Sequence, residues 1–121
     1  MTLHAEPRRT ILVVDDDRDI VATLCDILEM RGWQTLRAHD GEEAVRVATR
    51  TTVDWVLMDV RMPRLSGVEA LQAIRQQRPE TRAVLMTAFL SPDLATRAQA
   101  LGATRVLHKP FDPAALFTMI D

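Results

Sequence analysis

A chain of 121 residues with 47% apolar content is sized for one globular domain with a single core. A formal net charge of -2 and a pI near 5.9 argue against a chain whose main work is holding nucleic acid. The single cysteine excludes an internal disulfide and suits a reducing cytosol, and no apolar run approaches the roughly 20 residues of a membrane span.

Residues 1–9 contain no apolar core segment of the kind a signal peptide needs, so they read as a flexible lead-in to a domain over 10–121. Thr10-Ile11-Leu12-Val13-Val14 is a β-branched apolar run, the pattern of a buried strand, and it ends in Asp15-Asp16-Asp17. Ile20, Val21, Leu24, Ile27 and Leu28 then recur at helical spacing, which predicts a helix over Arg18 to Met30 stopped by Gly32. Asp17 falls at its start, where a carboxylate is favoured. Cys25 borders the apolar stripe and reads as a small packed hydrophobe. Trp33 to Ala38 mixes polar and apolar residues, as an edge strand does. Asp40-Gly41 predicts a turn, and Glu42 to Arg50 a helix with Ala44, Val45 and Ala48 on its inner face.

Trp55-Val56-Leu57-Met58 is a continuous apolar run that ends in one carboxylate, Asp59. An acid there either closes a turn or stands at the strand's carboxyl end, where open α/β sheets bind ligands. Arg64 to Gly67 is a loop with Ser66 as a helix cap, and Val68, Leu71 and Ile74 mark a third helix stopped near Pro79. Ala83 to Thr87 is another buried strand. Ser91-Pro92 starts a fourth helix that ends at Gly102. Arg105 to His108 is the last strand, Lys109-Pro110-Phe111 follow, and Asp112-Pro113 opens a final helix with room for about nine residues, short of the roughly 11–12-residue mean. Trp33, Trp55 and the scattered methionines read as packing. His108 reads as a strand end without chemistry. Arg75, Arg78, Arg82, Arg97 and Arg105 read as solvated faces.

Strand and helix thus alternate five times with tight connections, which predicts a parallel sheet covered on both faces, a doubly wound (βα)5 three-layer sandwich. Four of the five strands lead into a reactive residue: Asp15 and Asp16, Asp59, Thr87 and Lys109. In the order 2-1-3-4-5 these four strands are neighbours and their carboxyl ends share one rim. Two carboxylates about 5 Å apart repel by roughly 3 kcal/mol at an effective dielectric near 20. Three of them call for cations, and Lys109 supplies one charge. A divalent ion brings the sum to zero, and oxygen ligands suit Mg²⁺. His4, His39 and His108 are scattered and form no zinc set with Cys25. A metal-loaded carboxylate rim suits a phosphoryl group: metal and Lys109 neutralise its oxygens, Thr87 hydrogen-bonds one, and a carboxylate attacks phosphorus.

Ile11-Leu12-Val13-Val14-Asp15-Asp16-Asp17, Asp59-Val60-Arg61-Met62-Pro63, Thr87-Ala88 and Lys109-Pro110-Phe111 together resemble the receiver domain of bacterial two-component response regulators, from about Thr10 to the end. The resemblance implies a flavodoxin-like sheet of order 2-1-3-4-5. It implies that Asp59 takes a phosphoryl group from a phosphohistidine of a sensor kinase or phosphotransfer protein. It implies Mg²⁺ (or Mn²⁺) on Asp15, Asp16, Asp59 and the backbone carbonyl of Arg61. It implies Thr87 as the hydroxyl that binds the phosphoryl group, Lys109 as the partner of Asp59 and then of the phosphate, and often a cis Lys109–Pro110 bond. It implies a switch without turnover chemistry of its own beyond assisting phosphorylation and dephosphorylation, in the cytoplasm, with no membrane or direct nucleic-acid contact. It also implies partner or homodimer contacts on the face of helix 4, strand 5 and helix 5, where Arg97, Ala100, Arg105 and Leu116 are candidates.

Three positions depart from the family pattern. The family usually has Tyr or Phe three residues before the lysine, and this chain has Val106, which cannot swing a ring into the space Thr87 vacates. Arg61 and Phe89 stand at two positions that tune phosphoryl lifetime. The expectation is that Arg61 covers the acyl phosphate and Phe89 excludes water; the alternative is that both point to solvent. Three rival readings remain. A Mg²⁺-dependent aspartyl-phosphate phosphatase commonly has a second acid where Arg61 stands. A flavodoxin-like cofactor carrier needs a phosphate loop in place of Asp15-Asp16-Asp17. A degenerate receiver would bind partners without phosphorylation. The chain is expected to be either a stand-alone receiver or a piece of a longer regulator or hybrid kinase.

Overall fold

A computed structural model describes residues 9–102 and 104–121. The element order is β1 (Thr10–Val14), α1 (Arg18–Met30), β2 (Gln34–Ala38), α2 (Gly41–Arg50), β3 (Trp55–Asp59), α3 (Gly67–Gln77), β4 (Arg82–Thr87), α4 (Pro92–Ala100), β5 (Thr104–His108) and α5 (Pro113–Ile120). All five strands are parallel, in the order β2-β1-β3-β4-β5. The expected edge strand, β2, is at the edge.

The strand period of two divides the core into two layers. Ile11 and Val13 of β1, Leu57 of β3 and Val84 and Met86 of β4 pack with Val21, Cys25 and Leu28 of α1 and Leu116 and Ile120 of α5. Leu12, Val14, Val56, Met58, Ala83 and Leu85 face the other way, onto Ala44, Ala48, Leu71, Ile74, Leu94 and Ala98 of α2, α3 and α4. The continuous apolar runs are explained by this arrangement, because both faces of the central strands are covered. Cys25 is fully buried and packs as a small hydrophobe.

Each helix starts where its strand leaves the sheet, and each start is capped by a side chain the sequence places there. Asp17 accepts from the amides of Asp19 and Ile20, Asp40 from Glu43, Ser91 from Leu94 and Asp112 from Ala114. Ser66 and Glu69 form a reciprocal capping box at α3. Each cap is worth about 1 kcal/mol. Five caps on one rim fix where the chain leaves each strand, which is where the candidate site residues lie.

The structure refines several boundaries. Gly41 belongs to α2, with Asp40 as its cap, so the expected turn is a helix start. Trp33 precedes β2; it and Trp55 are buried as expected. Arg9 already belongs to the fold: its carbonyl accepts from Gln34 N–H at 2.9 Å and its guanidinium lies 4.8 Å from the Trp33 ring centre. The remainder of the expected lead-in, residues 1–8, lies outside the described residues. Arg75, Arg78 and Arg82 are more than solvated faces. Arg75 donates to the carbonyl of Thr81, Arg78 to that of Thr49, and Arg82 lies over the Trp55 ring. Long side chains at loop ends find carbonyls and ring faces that periodicity does not reveal.

Candidate functional site

The strand register builds the site. Val14 pairs with Met58, so Asp15 emerges beside Asp59, and Thr87 pairs with His108, so Lys109 emerges beside them. Residues 11, 13 and 15 of the first run share a parity, as do 55, 57 and 59 of the third, and this parity belongs to the α1–α5 side of the sheet. Thr87 has the opposite parity, that of Ala83 and Leu85.

Asp15, Asp59 and Thr87 are buried, and Asp16 is exposed. One carboxylate oxygen from each of Asp15, Asp16 and Asp59 lies within 4.8 Å of the others. Lys109 Nζ bridges two of them, donating to Asp15 Oδ2 at 2.9 Å and standing 3.2 Å from Asp59 Oδ1. The tighter partner is thus Asp15, whereas the expectation named only Asp59. Asp15 Oδ1 also accepts the Asp17 amide at 3.0 Å. The Lys109–Pro110 bond is cis, as expected. Gly67 closes the site from behind. Its amide donates to the Val60 carbonyl at 2.9 Å, and a Cβ there would stand 2.3 Å from the Asp59 carbonyl oxygen. No side chain fits without moving the Asp59–Val60 backbone.

The charges carry a physical signature. Burial pushes the Asp59 carboxyl above its ordinary value of 3.8, the nearby Asp15 charge adds to the rise, and Lys109 opposes it. Burial alone would depress Lys109, but its bond to Asp15 and the charge of Asp59 outweigh this and hold it above 10.5. Three carboxylates and one ammonium leave two uncompensated negative charges. All-oxygen donors with one acid open to solvent fit a hard divalent cation that keeps part of its water shell.

Thr87 Oγ1 accepts the Phe89 amide at 3.0 Å, and the Thr87 carbonyl accepts the Lys109 amide at 2.7 Å. Arg61 and Phe89 are both exposed, and the Arg61 guanidinium lies 4.4 Å from the Phe89 ring centre. Together they rim a groove of about 550 Å³ between the β3–α3 loop and α4. Nothing in the spacing of residues 61 and 89 announced this stack. Val106 is half-buried and packs on the α2–α4 side of the sheet. Arg97, Ala100 and Arg105 are exposed, but Leu116 is fully buried in the α1–α5 core. Its expected place on a partner face is therefore corrected: an eight-residue helix lying flat on the sheet turns Leu116 inward with Ile120. His108 is an exposed strand end.

The description "Response regulator receiver domain" covers the family whose profile matches residues 11–121. Transcriptional regulatory protein CpxR of Escherichia coli (strain K12) is 38% identical over 110 residues, which is 91% of this chain and 47% of CpxR. The chain therefore spans about half the length of that relative. Among solved structures, chemotaxis protein CheY4 of Vibrio cholerae superposes with a TM-score of 0.87 at 32% identity, covering 93% of this chain and 96% of CheY4. A chain from the CheX–CheY–BeF3–Mg²⁺ complex of Borrelia burgdorferi superposes with a TM-score of 0.87 at 28% identity, covering 93% of this chain and 86% of that one. With the flavodoxin-like fold and the convergent strand tips in place, this chain belongs to the family of response regulator receiver domains, the switch modules of two-component signalling.

Proposed function

We propose that Asp59 is the phosphoacceptor, and that phosphorylation there switches the domain to control an output domain or partner. The observation that carries this is the bridge of Lys109 Nζ across Asp15 and Asp59, within a set of three convergent carboxylates. In the forward step an Asp59 oxygen attacks the phosphorus of a partner's phosphohistidine. The P–N bond breaks, its electron pair stays on the imidazole, and an acyl phosphate forms. Lys109 keeps a positive charge beside the phosphoryl oxygens, and Thr87 turns its hydroxyl to donate to one of them. The return step is attack by water, which the domain assists with the same residues. Asp15, Asp16, Asp59 and the backbone carbonyl of Arg61 would hold Mg²⁺ or Mn²⁺. That ion, when bound, neutralises the charge of the transferring group.

The donor is a sensor kinase or a phosphotransfer protein. An apolar groove of about 610 Å³ between α1 and the start of α5, lined by Ile20, Leu24, Ile27 and Phe111 with Lys109 at its edge, supports an approach from that side. The exposed residues Arg97, Ala100 and Arg105 are the part of the α4–β5–α5 face we assign to an output domain or a second copy. No described helix is long and apolar enough to cross a membrane. We place the domain in the cytoplasm, to which its lone, buried cysteine is suited. Convergence of Asp15, Asp16, Asp59 and Lys109, with Thr87 at the tip of the neighbouring strand, favours this reading over a receiver that has lost its chemistry.

The test is intact-mass and peptide mass spectrometry after incubation with acetyl phosphate and Mg²⁺. The reading predicts a gain of one phosphoryl group on the peptide holding Asp59, lost when EDTA replaces Mg²⁺. No gain, or a gain on another residue, contradicts it.

We also propose that Arg61 and Phe89 slow hydrolysis, Arg61 by covering the acyl phosphate and Phe89 by excluding water from the groove beside it. Arg61→Asn and Phe89→Glu should each shorten the phosphoryl half-life by about tenfold, equivalent to about 1.4 kcal/mol of barrier. Phosphate release after removal of acetyl phosphate measures it. Unchanged half-lives in both variants remove the shielding role.

A further inference from the structure

Val106 leaves this receiver without an aromatic at the usual switch position, yet the structure links another ring directly to Thr87. The Phe89 amide donates to Thr87 Oγ1 at 3.0 Å, and among the described residues the Thr87 hydroxyl makes no hydrogen bond to Asp59 or Lys109. The parity of β4 directs Thr87 toward the α4 side, away from the two buried carboxylates. Its hydroxyl must turn to reach a phosphoryl group on Asp59, and that turn breaks the bond to the Phe89 amide. The Phe89 ring, meanwhile, is 64% exposed and rests on the Arg61 guanidinium. A new doubly negative group on Asp59 draws that guanidinium away from the ring, because a full charge outweighs a ring quadrupole. Both restraints on Phe89 are thus removed by the same event.

The ring also has a destination. The groove of about 550 Å³ beside it is lined by Thr87, Val60, Val68 and Leu94 as well as by Arg61 and Arg97. It offers apolar contact to a ring that now faces water. Val106 does not line this groove, so the route runs along the α3 side of α4 and not through β5. We propose that Phe89 is the switching aromatic of this receiver: phosphorylation turns Thr87, frees the Phe89 amide, and moves the ring into the groove between the β3–α3 loop and α4. This rests on Asp59 being the phosphoacceptor. The surface that changes is then the α3–α4 groove around Leu94 and Arg97.

The test uses the full chain with 4-fluorophenylalanine at its 3 phenylalanines, assigned with Phe111→Leu and Phe117→Leu. Fluorine spectra and intact mass are recorded together during incubation with acetyl phosphate and Mg²⁺. The Phe89 resonance should move in proportion to the phosphorylated fraction, with a reduced H₂O–D₂O shift as the ring leaves water. In Phe89→Leu, compared with the unsubstituted chain at equal phosphorylated fraction by intact mass, the amide shifts of Leu94 and Arg97 should stay at their unphosphorylated positions. Val106→Ala should leave both the uptake and the Phe89 shift intact. A phosphorylated Asp59 with an unmoved Phe89 resonance, or α4 shifts that survive in Phe89→Leu, overturns the switch while leaving the phosphoacceptor standing. Absence of any phosphoryl gain overturns both.

Discussion

Asp59→Asn is expected to abolish phosphoryl uptake and, at the same time, to raise the melting temperature. The first effect follows from chemistry: an amide oxygen is not a nucleophile that can form an acyl phosphate, and among the described residues no second buried carboxylate is free, because Asp15 is held by Lys109 and by the Asp17 amide. The second follows from electrostatics. The folded protein holds the Asp59 carboxyl above its ordinary 3.8, chiefly through burial and then through Asp15. An acid with a raised folded pKa contributes stability that is complete below its unfolded value and is lost as pH rises through the folded value. At neutral pH the ionised carboxylate is therefore a cost. Removing its charge relieves the penalty of burial, the largest cause, and the repulsion from Asp15, and together these exceed the lost attraction to Lys109. A net gain of about 1 kcal/mol, or about 4 °C, is expected without metal. Thermal melts from pH 4 to 8 should show the wild-type chain losing ground to Asp59→Asn as pH rises. A variant less stable at every pH contradicts the charge argument.

Lys109→Ala is expected to act in the opposite direction on stability and the same direction on chemistry. Its ammonium is the only cation that contacts the carboxylates among the described residues. Truncation leaves Asp15, almost fully buried, facing Asp59 with no counter-charge. Breaking a fully buried pair from one side costs about 3–5 kcal/mol, and because the Lys109 side chain keeps some solvent contact, about 2 kcal/mol is expected here. Lys109 is held above 10.5, so its contribution is complete below that value and is lost only as pH rises through the folded one. The deficit of Lys109→Ala should therefore not vary between pH 7 and 9. Mg²⁺ should raise the melting temperature of Lys109→Ala by more than it raises that of the wild type, since the ion no longer competes with an ammonium. Phosphoryl uptake should fall by about 10²-fold, the typical loss on removing one group that stabilises transition-state charge. Equal Mg²⁺ shifts in the two proteins would show that Lys109 and the ion do not share a site.

Much of this was legible in the sequence, for reasons that differ by element. The apolar runs at 11–14, 55–58 and 83–86 are too short for helices and read as strands covered on both faces, and the caps at Asp17, Ser66, Ser91 and Asp112 carry their own local chemistry. Alternation and parallel pairing then place Asp15, Asp59 and Lys109 together, because strand ends are fixed by the same register that fixes the core. Other features were not legible. The closer pairing of Lys109 with Asp15 depends on fractions of an ångström across the rim. The Arg61–Phe89 stack joins two loops whose relative position is set only once α3 and α4 have packed. The inward side of Leu116 is hidden in the sequence, because a short helix rich in apolar residues carries little signal for which side faces the sheet. Gly67 gives no sign in sequence of the backbone lying against it.

The whole account requires that the tips of β1, β3, β4 and β5 serve a single phosphoryl group. A crystal structure of the chain with Mg²⁺ and beryllofluoride tests this most directly. The account predicts beryllium bonded to an Asp59 oxygen, Lys109 Nζ and Thr87 Oγ1 on its fluorines, and the metal on Asp15, Asp16 and Asp59. Beryllofluoride bound at another residue, or Thr87 and Lys109 both out of hydrogen-bond reach of it, contradicts it.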